Sequence, residues 1–257
     1  MDQPTTTSAS AVAAEGAAVL GDLWAAAAEL AAFSADAARA GGRLLLARAG
    51  VSTRTATPPD EAAAGRWGDA AFRDLDALGF LAFAAGEVGA VLVYGRRLVV
   101  AGLDRDLLHA YVLRRVRGWT RGAPFRVVYF HAGCTYAEHS PGLDWLAARA
   151  AAAPAELLDR LEAVLVVHPD AKTALAAALL GPLLPAGLRA KVRAVGRVEF
   201  LPAGCGADDP AALPAYVREH DARLEADPLL DFGVVQPEGA AGGLAGGGFG
   251  GPPPFVG

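Results

Sequence analysis

The sequence predicts an α/β fold: a mainly parallel sheet flanked by helices, with an N-terminal helical extension and a disordered Gly/Pro-rich tail. Three observations point there. Near-continuous apolar runs such as Phe125–His131 and Leu161–Val167 have the texture of strands buried on both faces. They alternate with segments whose apolar residues recur at helical spacing, the rhythm of crossover helices. Composition shifts along the chain: residues 1–64 are an Ala-rich extension and linker, 65–235 carry the alternation, and 236–257 are dominated by Gly and Pro. With 257 residues, 53% of them hydrophobic, the chain can bury one substantial core.

From about Ala11 to Ala40, Leu20, Leu23, Trp24, Ala27, Leu30 and Ala31 form the apolar stripe of one helix, which Gly41 and Gly42 end. Glu15, Asp22, Glu29 and Asp36 recur every seven residues and form an acidic line on its surface. Residues 51–65, with Pro58-Pro59, read as a linker. Strands are expected at Phe80–Ala84 and Ala90–Tyr94, with Leu98–Ala101 continuing the second after a bend at Gly95. Leu103, Leu107, Leu108, Tyr111, Val112 and Val116 make the buried stripe of a helix that leads to the strand Phe125–His131.

Ser140 is placed to cap the next helix, with Pro141 at its first position and Leu143, Leu146, Ala147 and Ala150 along its buried side. A turn of helix over Pro154–Arg160 precedes the strand Leu161–Val167, which His168-Pro169 closes. Asp170 then caps a helix that carries no charge from Thr173 to Gly187 and is broken by Gly181-Pro182 and Pro185-Ala186-Gly187. Leu188–Ala194 alternates apolar with basic residues, as a half-exposed strand or its approach does. Leu213–Phe232 is acidic and amphipathic, and the tail beyond Gly239 has too little apolar surface to offset its ordering entropy.

Charge excludes some function classes. A net charge of −5 argues against nucleic-acid binding, which needs a basic surface. Cys134 and Cys205 form no CxxC pair, so neither a disulfide framework nor a zinc knuckle is expected, and a reducing setting fits. The acidic N-terminus is unlike a secretory leader or transit peptide, and no uncharged apolar run is long enough to span a bilayer. A soluble, cytoplasmic protein is expected, with peripheral membrane contact open to it. Locally the balance reverses: residues 96–126 hold eight arginines against two acids, a net of +6. Arg114, Arg115, Arg117 and Arg121, with Lys191 and Arg193, are candidates to meet an anionic headgroup or an acidic partner. The alternative is an ordinary solvated face, balanced by the acidic segment 207–240.

His131, Cys134 and His139 invite a metal- or thiol-dependent hydrolase reading, with Glu138 as the local carboxylate. Against it, three ligands are few and His131 reads equally well as the end of a buried strand, as does His168. No metal, no cofactor and no catalysis are expected.

The order of short motifs carries a resemblance. Val127-Val128-Tyr129-Phe130-His131-Ala132-Gly133, Ser140-Pro141-Gly142-Leu143 and Leu161–Pro169 are followed by Gly181-Pro182-Leu183-Leu184, Gly187–Val195 and Leu213–Asp221, then Pro228–Gly233. From roughly 78 to 233 the chain resembles the divergent CRAL-TRIO group, also called the BCH or Rho-GAP homology domain, and is most similar to stand-alone plant-type members. The resemblance implies a CRAL-TRIO-like sheet with an apolar pocket beside it, a mobile gate helix and no catalysis. A small hydrophobic ligand or phospholipid would lie in that pocket against Tyr129, His131, Leu165, Val167, Leu179, Leu180, Leu183 and Leu184, gated by the 173–184 helix. The alternative it implies is a scaffold that docks a Rho-type small GTPase or its regulator on the basic patch. The chain departs from the group in three places: Ala132 stands where relatives usually have Thr, the gate segment is built from small alanines, and residues 1–64 lack the helical module that precedes many such domains.

Overall fold

The structure, a computed structural model, describes residues 67–227 and 230, with Ala32, Ala35, Asp36 and Arg39, all four helical. Those four fall inside the helix expected over 11–40. The rest of that helix, with Glu15, Asp22 and Glu29, lies outside the described residues, as do the 51–65 linker and the Gly/Pro-rich tail.

The first element, helix α1 (Asp69–Ala77), has no counterpart in the expectations above. Only Phe72 and Leu75 are buried along it, too few apolar positions to announce a helix among so many charges. Strand β1 (Leu81–Ala84) and strand β2 (Gly89–Tyr94) follow as an antiparallel pair. Asp104 then caps α2 (Arg105–Thr120), its carboxylate accepting from the N–H groups of Asp106 and Leu107. Strand β3 (Phe125–Phe130) leads into three short helices, α3 (Tyr136–His139), α4 (Leu143–Ala151) and α5 (Ala155–Arg160). Strand β4 (Leu161–Val167), α6 (Ala171–Leu180), α7 (Ala186–Arg189) and β5 (Val192–Val195) come next, and α8 (Ala215–Ala226) closes the described chain. No helix among the described residues is long and apolar enough to cross a membrane.

The sheet runs β1-β2-β3-β4-β5, parallel everywhere except at the β1 edge. Val116 of α2, Leu157 of α5 and Leu188 of α7 pack in one cluster with Val91, Val127 and Val164, on the face here called the crossover face, as the usual right-handed crossover between parallel neighbours requires. After β5 the chain returns across the other face. There Ala90, Val128, Phe130, Val167 and Val217 are fully shielded from solvent, packed with Leu165 and Leu213. Tyr94 stacks on Phe130 at 5.3 Å between ring centroids. Full burial of one such aliphatic or aromatic side chain stabilises by roughly 1.5–3 kcal/mol, so this layer anchors the fold. On the crossover face, Val91, Phe125 and Leu161 pack against Val116 of α2 and Leu157 of α5. Gly89 is required there, because a Cβ would stand 2.2 Å from the Trp119 indole.

Four local expectations change. Gly95–Arg97 form a 3-10 turn that takes the chain off the sheet, and Val100 donates its N–H to the Glu138 carbonyl at 2.7 Å, so Leu98–Ala101 continues no strand. Ser140 ends α3 rather than capping α4. Its hydroxyl accepts from the Gly142 N–H at 3.2 Å, while the first amide of α4, that of Leu143, donates to the Asp36 carboxylate at 2.5 Å. Asp36 also accepts the Tyr136 hydroxyl and is only 4% exposed. It is therefore a buried cap and not part of an exposed acidic line. Finally, Leu188 and Arg189 belong to α7, and the alternating stretch becomes strand only at Val192.

Candidate functional site

Strands β3 and β4 end side by side, Phe130 opposite Val167, and both chains turn away at the carboxyl edge of the sheet. In parallel α/β sheets that edge is where ligands bind. His131 follows β3 directly, its N–H held by the Val167 carbonyl at 3.0 Å. The ring Nε2 lies 2.7 Å from the Thr173 hydroxyl and 3.4 Å from Asp170 Oδ1, and Nδ1 is 3.5 Å from the Tyr129 hydroxyl. That hydroxyl donates to Cys134 Sγ at 3.7 Å. Both atoms press on Gly95, where a Cβ would come within 2.6 Å of each.

These contacts set the charges. Burial by itself would lower the His131 pKa, but hydrogen bonds with Asp170 and Cys134 carry it up to about 9, so the ring is cationic at neutral pH. Burial would raise Asp170, yet His131 and the Thr173 hydroxyl and N–H hold its carboxyl well below the usual carboxylate range. Asp170 also caps α6, accepting the Thr173 N–H at 2.7 Å.

A second histidine ends β4. His168 adopts a left-handed backbone, φ 55°, and is 1% exposed. Its Nε2 is 2.9 Å from Asp221 Oδ1 of α8, and its ring lies 4.9 Å from that of His220. Asp221 also accepts the Val198 N–H at 2.9 Å. Burial opposes its ionisation, but the hydrogen bonds from His168 and Val198, with Arg197 nearby, hold its carboxyl below the ordinary value.

Between these two strand ends opens a cavity of about 470 Å³. The end of β3 contributes His131 and Cys134; the β4–α6 connection contributes His168, Asp170 and Lys172; α8 contributes His220 and Arg223. It is a polar site. Of the residues expected to line an apolar pocket, it holds only His131.

The eight expected pocket residues do not meet. Side chains alternate across a strand, and the register pairs Tyr129 with Val166, leaving Leu165 and Val167 on the opposite face. Leu165 and Val167, 2% and 0% exposed, belong to the sealed core instead. Leu179 and Leu180 pack with Leu143 and Tyr136 on the crossover side. Leu184 is half-buried beyond α6, and the Leu183 side chain lies outside what is described.

The crossover face is less well sealed. Val127, Tyr129, Val164 and Val166 all keep partial exposure, and α6, part of the β4–β5 crossover, has no buried residue; its Leu175 is 51% exposed.

The expected basic patch is also dispersed. Arg114 pairs with Asp69 at 3.4 Å, Arg115 with Asp76 at 3.6 Å and Arg117 with Glu156 at 2.8 Å. Arg121 takes the left-handed C-cap of α2, with φ 43°. Lys191 donates to the Leu158 carbonyl at 2.6 Å. Arg193 is exposed on β5, at the sheet edge opposite β1, on whose Phe83 ring Arg115 rests. Four strand spacings put those edges about 19 Å apart.

His139 accepts the Thr135 N–H at 3.0 Å within α3. Among the described residues no group of His, Cys, Asp and Glu is arranged to hold a metal ion.

Sequence reasoning named His131 but missed Lys172, His220 and Arg223, and saw Asp170 only as a helix cap. One signal could have found the site. His131 and His168-Pro169-Asp170 each follow a buried parallel strand, the position where such sheets present their ligands.

A family model for the divergent CRAL/TRIO domain matches residues 90–223, from β2 into α8. No curated protein matches the chain closely enough to count as a relative.

Proposed function

Since the chain belongs to the divergent CRAL/TRIO family, a lipid-binding type of domain, we propose that it binds a small hydrophobic ligand or phospholipid between the crossover face of its sheet and α6, without catalysis. The asymmetry of the two sheet faces carries this reading. One face is closed by fully buried side chains, whereas on the other Val127, Tyr129, Val164 and Val166 stay partly exposed, and α6, in the β4–β5 crossover, buries none of its ten residues. Apolar surface left open on both sheet and helix is surface that an apolar ligand stabilises by covering.

α6 is suited to act as the gate. It starts at the Asp170 cap and stops at Gly181-Pro182, two points where the backbone can hinge. Its first turn is tied to the end of β3 by the 2.7 Å contact between Thr173 and His131. No residue of α6 is fully buried, and opening has to release Ala176, Leu179 and Leu180 from Leu143.

Native mass spectrometry of the full chain purified from eukaryotic cells tests the proposal. A bound lipid lost on Val166→Trp, which fills the space beneath α6, is the expected result. No copurifying lipid and no uptake from phosphatidylcholine vesicles would overturn it. Docking of a Rho-type GTPase or its regulator on the arginines of α2 is the weaker reading, because Arg114, Arg115 and Arg117 are already engaged by acids of α1 and α5.

A further inference from the structure

The cavity at the carboxyl ends of β3 and β4 has a charge at odds with the chain that builds it. The whole protein carries a net charge of −5, yet among the described residues that line this cavity His131, Lys172 and Arg223 stand with one carboxylate, Asp170. His131 is cationic at neutral pH because Asp170 and Cys134 hold its proton. Asp170 is turned to the start of α6, where it accepts from Thr173 and His131. His168 and His220 add two more imidazoles to the wall. His168 has its own counter-ion in Asp221.

Backbone geometry adds to the same field. α6 is ten residues long, and its first-turn amides have no intrahelical acceptor. Ala171 and Lys172, in that turn, line the cavity. The helix N-terminus therefore contributes partial positive charge where the cationic side chains converge.

We propose that this cavity is an anion site that takes a phosphate monoester, free or on a lipid headgroup. The three cations come from three separate elements: the end of β3, the first turn of α6 and the last turns of α8. Positive charge approaching from three directions suits a tetrahedral anion with several acceptor oxygens better than a planar carboxylate, which a single arginine fork satisfies. A volume of about 470 Å³ leaves room for the group that bears the phosphate. The site does not depend on the apolar ligand proposed above, whose space lies under α6 between helix and sheet.

The test titrates inorganic phosphate into the full chain and follows the imidazole resonances of His131, His168 and His220 by NMR, with chloride as the control anion. Saturable shifts are expected with phosphate only. Arg223→Glu, at an exposed position of α8, should weaken binding about tenfold or more while leaving the circular dichroism spectrum unchanged, and His131→Gln should weaken it as well. Shifts that fail to saturate, or equal affinity in wild type and Arg223→Glu, overturn the proposal. A second arm uses phosphatidylcholine vesicles with and without phosphatidic acid. Capture by the doped vesicles that inorganic phosphate competes away assigns the anion to a headgroup. Saturable phosphate binding without capture assigns it to a soluble phosphate monoester. Because the probe is inorganic phosphate, its result stands whether or not an apolar ligand copurifies.

Discussion

Replacing Asp170 with Asn removes the carboxylate that keeps His131 charged while leaving a side chain able to cap α6. In the folded protein the pKa of His131 is raised from 6.5 to about 9, the Asp170 and Cys134 hydrogen bonds outweighing a burial effect that lowers it. A folded state that holds the proton more tightly than the unfolded chain gains stability fully present below about pH 6.5 and lost as pH rises through about 9. The rise corresponds to about 3 kcal/mol. The wild type should therefore lose about that much between pH 6 and pH 10 by urea unfolding followed by circular dichroism. In Asp170→Asn only the Cys134 hydrogen bond is left to oppose burial, so folded His131 holds its proton less tightly. The variant should be less stable than wild type near pH 6 by at most about 3 kcal/mol, with a gap that closes by about pH 10. Groups that titrate alike in both proteins cancel in the difference. Parallel stability curves for the two proteins across this range would refute the pairing.

Three further outcomes follow from the packing. Leu165→Ala should cost about 2–5 kcal/mol in urea unfolding, because it opens a cavity in the sealed layer, whereas Leu180→Ala on the half-buried face of α6 should cost about 1 kcal/mol. Asp36→Ala leaves the Leu143 amide and the Tyr136 hydroxyl without their acceptor, a loss of about 1–3 kcal/mol that thermal unfolding reads as a lower Tm. Gly95→Ala drives a methyl into Cys134 and Tyr129; overpacking of about 1–3 kcal/mol and altered tyrosine fluorescence are expected.

The fold was legible where one residue's environment decides its type. Phe125–Phe130 and Leu161–Val167 are inner strands of a parallel sheet, buried on one face and covered in part on the other, so their runs of Val, Leu and Phe could be read directly. The Asp170 cap was equally plain, since capping depends on three consecutive residues. Helix α1 escaped because its two buried side chains are too few to set a period. The site was half legible. His131 stood out as a histidine at a strand end, but Lys172, His220 and Arg223 look like ordinary helix-surface residues until the fold brings them together.

By itself the sequence determined the class of architecture, the order of the strands and helices from β1 onward in outline, and the family, all of which rest on periodicity and on short motifs in fixed order. Only the tertiary structure decided which residues share a face. Tyr129 and Leu165 look alike as apolar strand positions, and a register that sets Tyr129 beside Val166 puts them on opposite sides of the sheet. Asp36 reads as one more surface acid until an amide 107 residues away reaches it. The physical reason is the same in both cases. Local sequence sets backbone propensity and side-chain alternation, whereas which groups come within hydrogen-bond reach depends on strand register and helix docking between segments far apart in the chain.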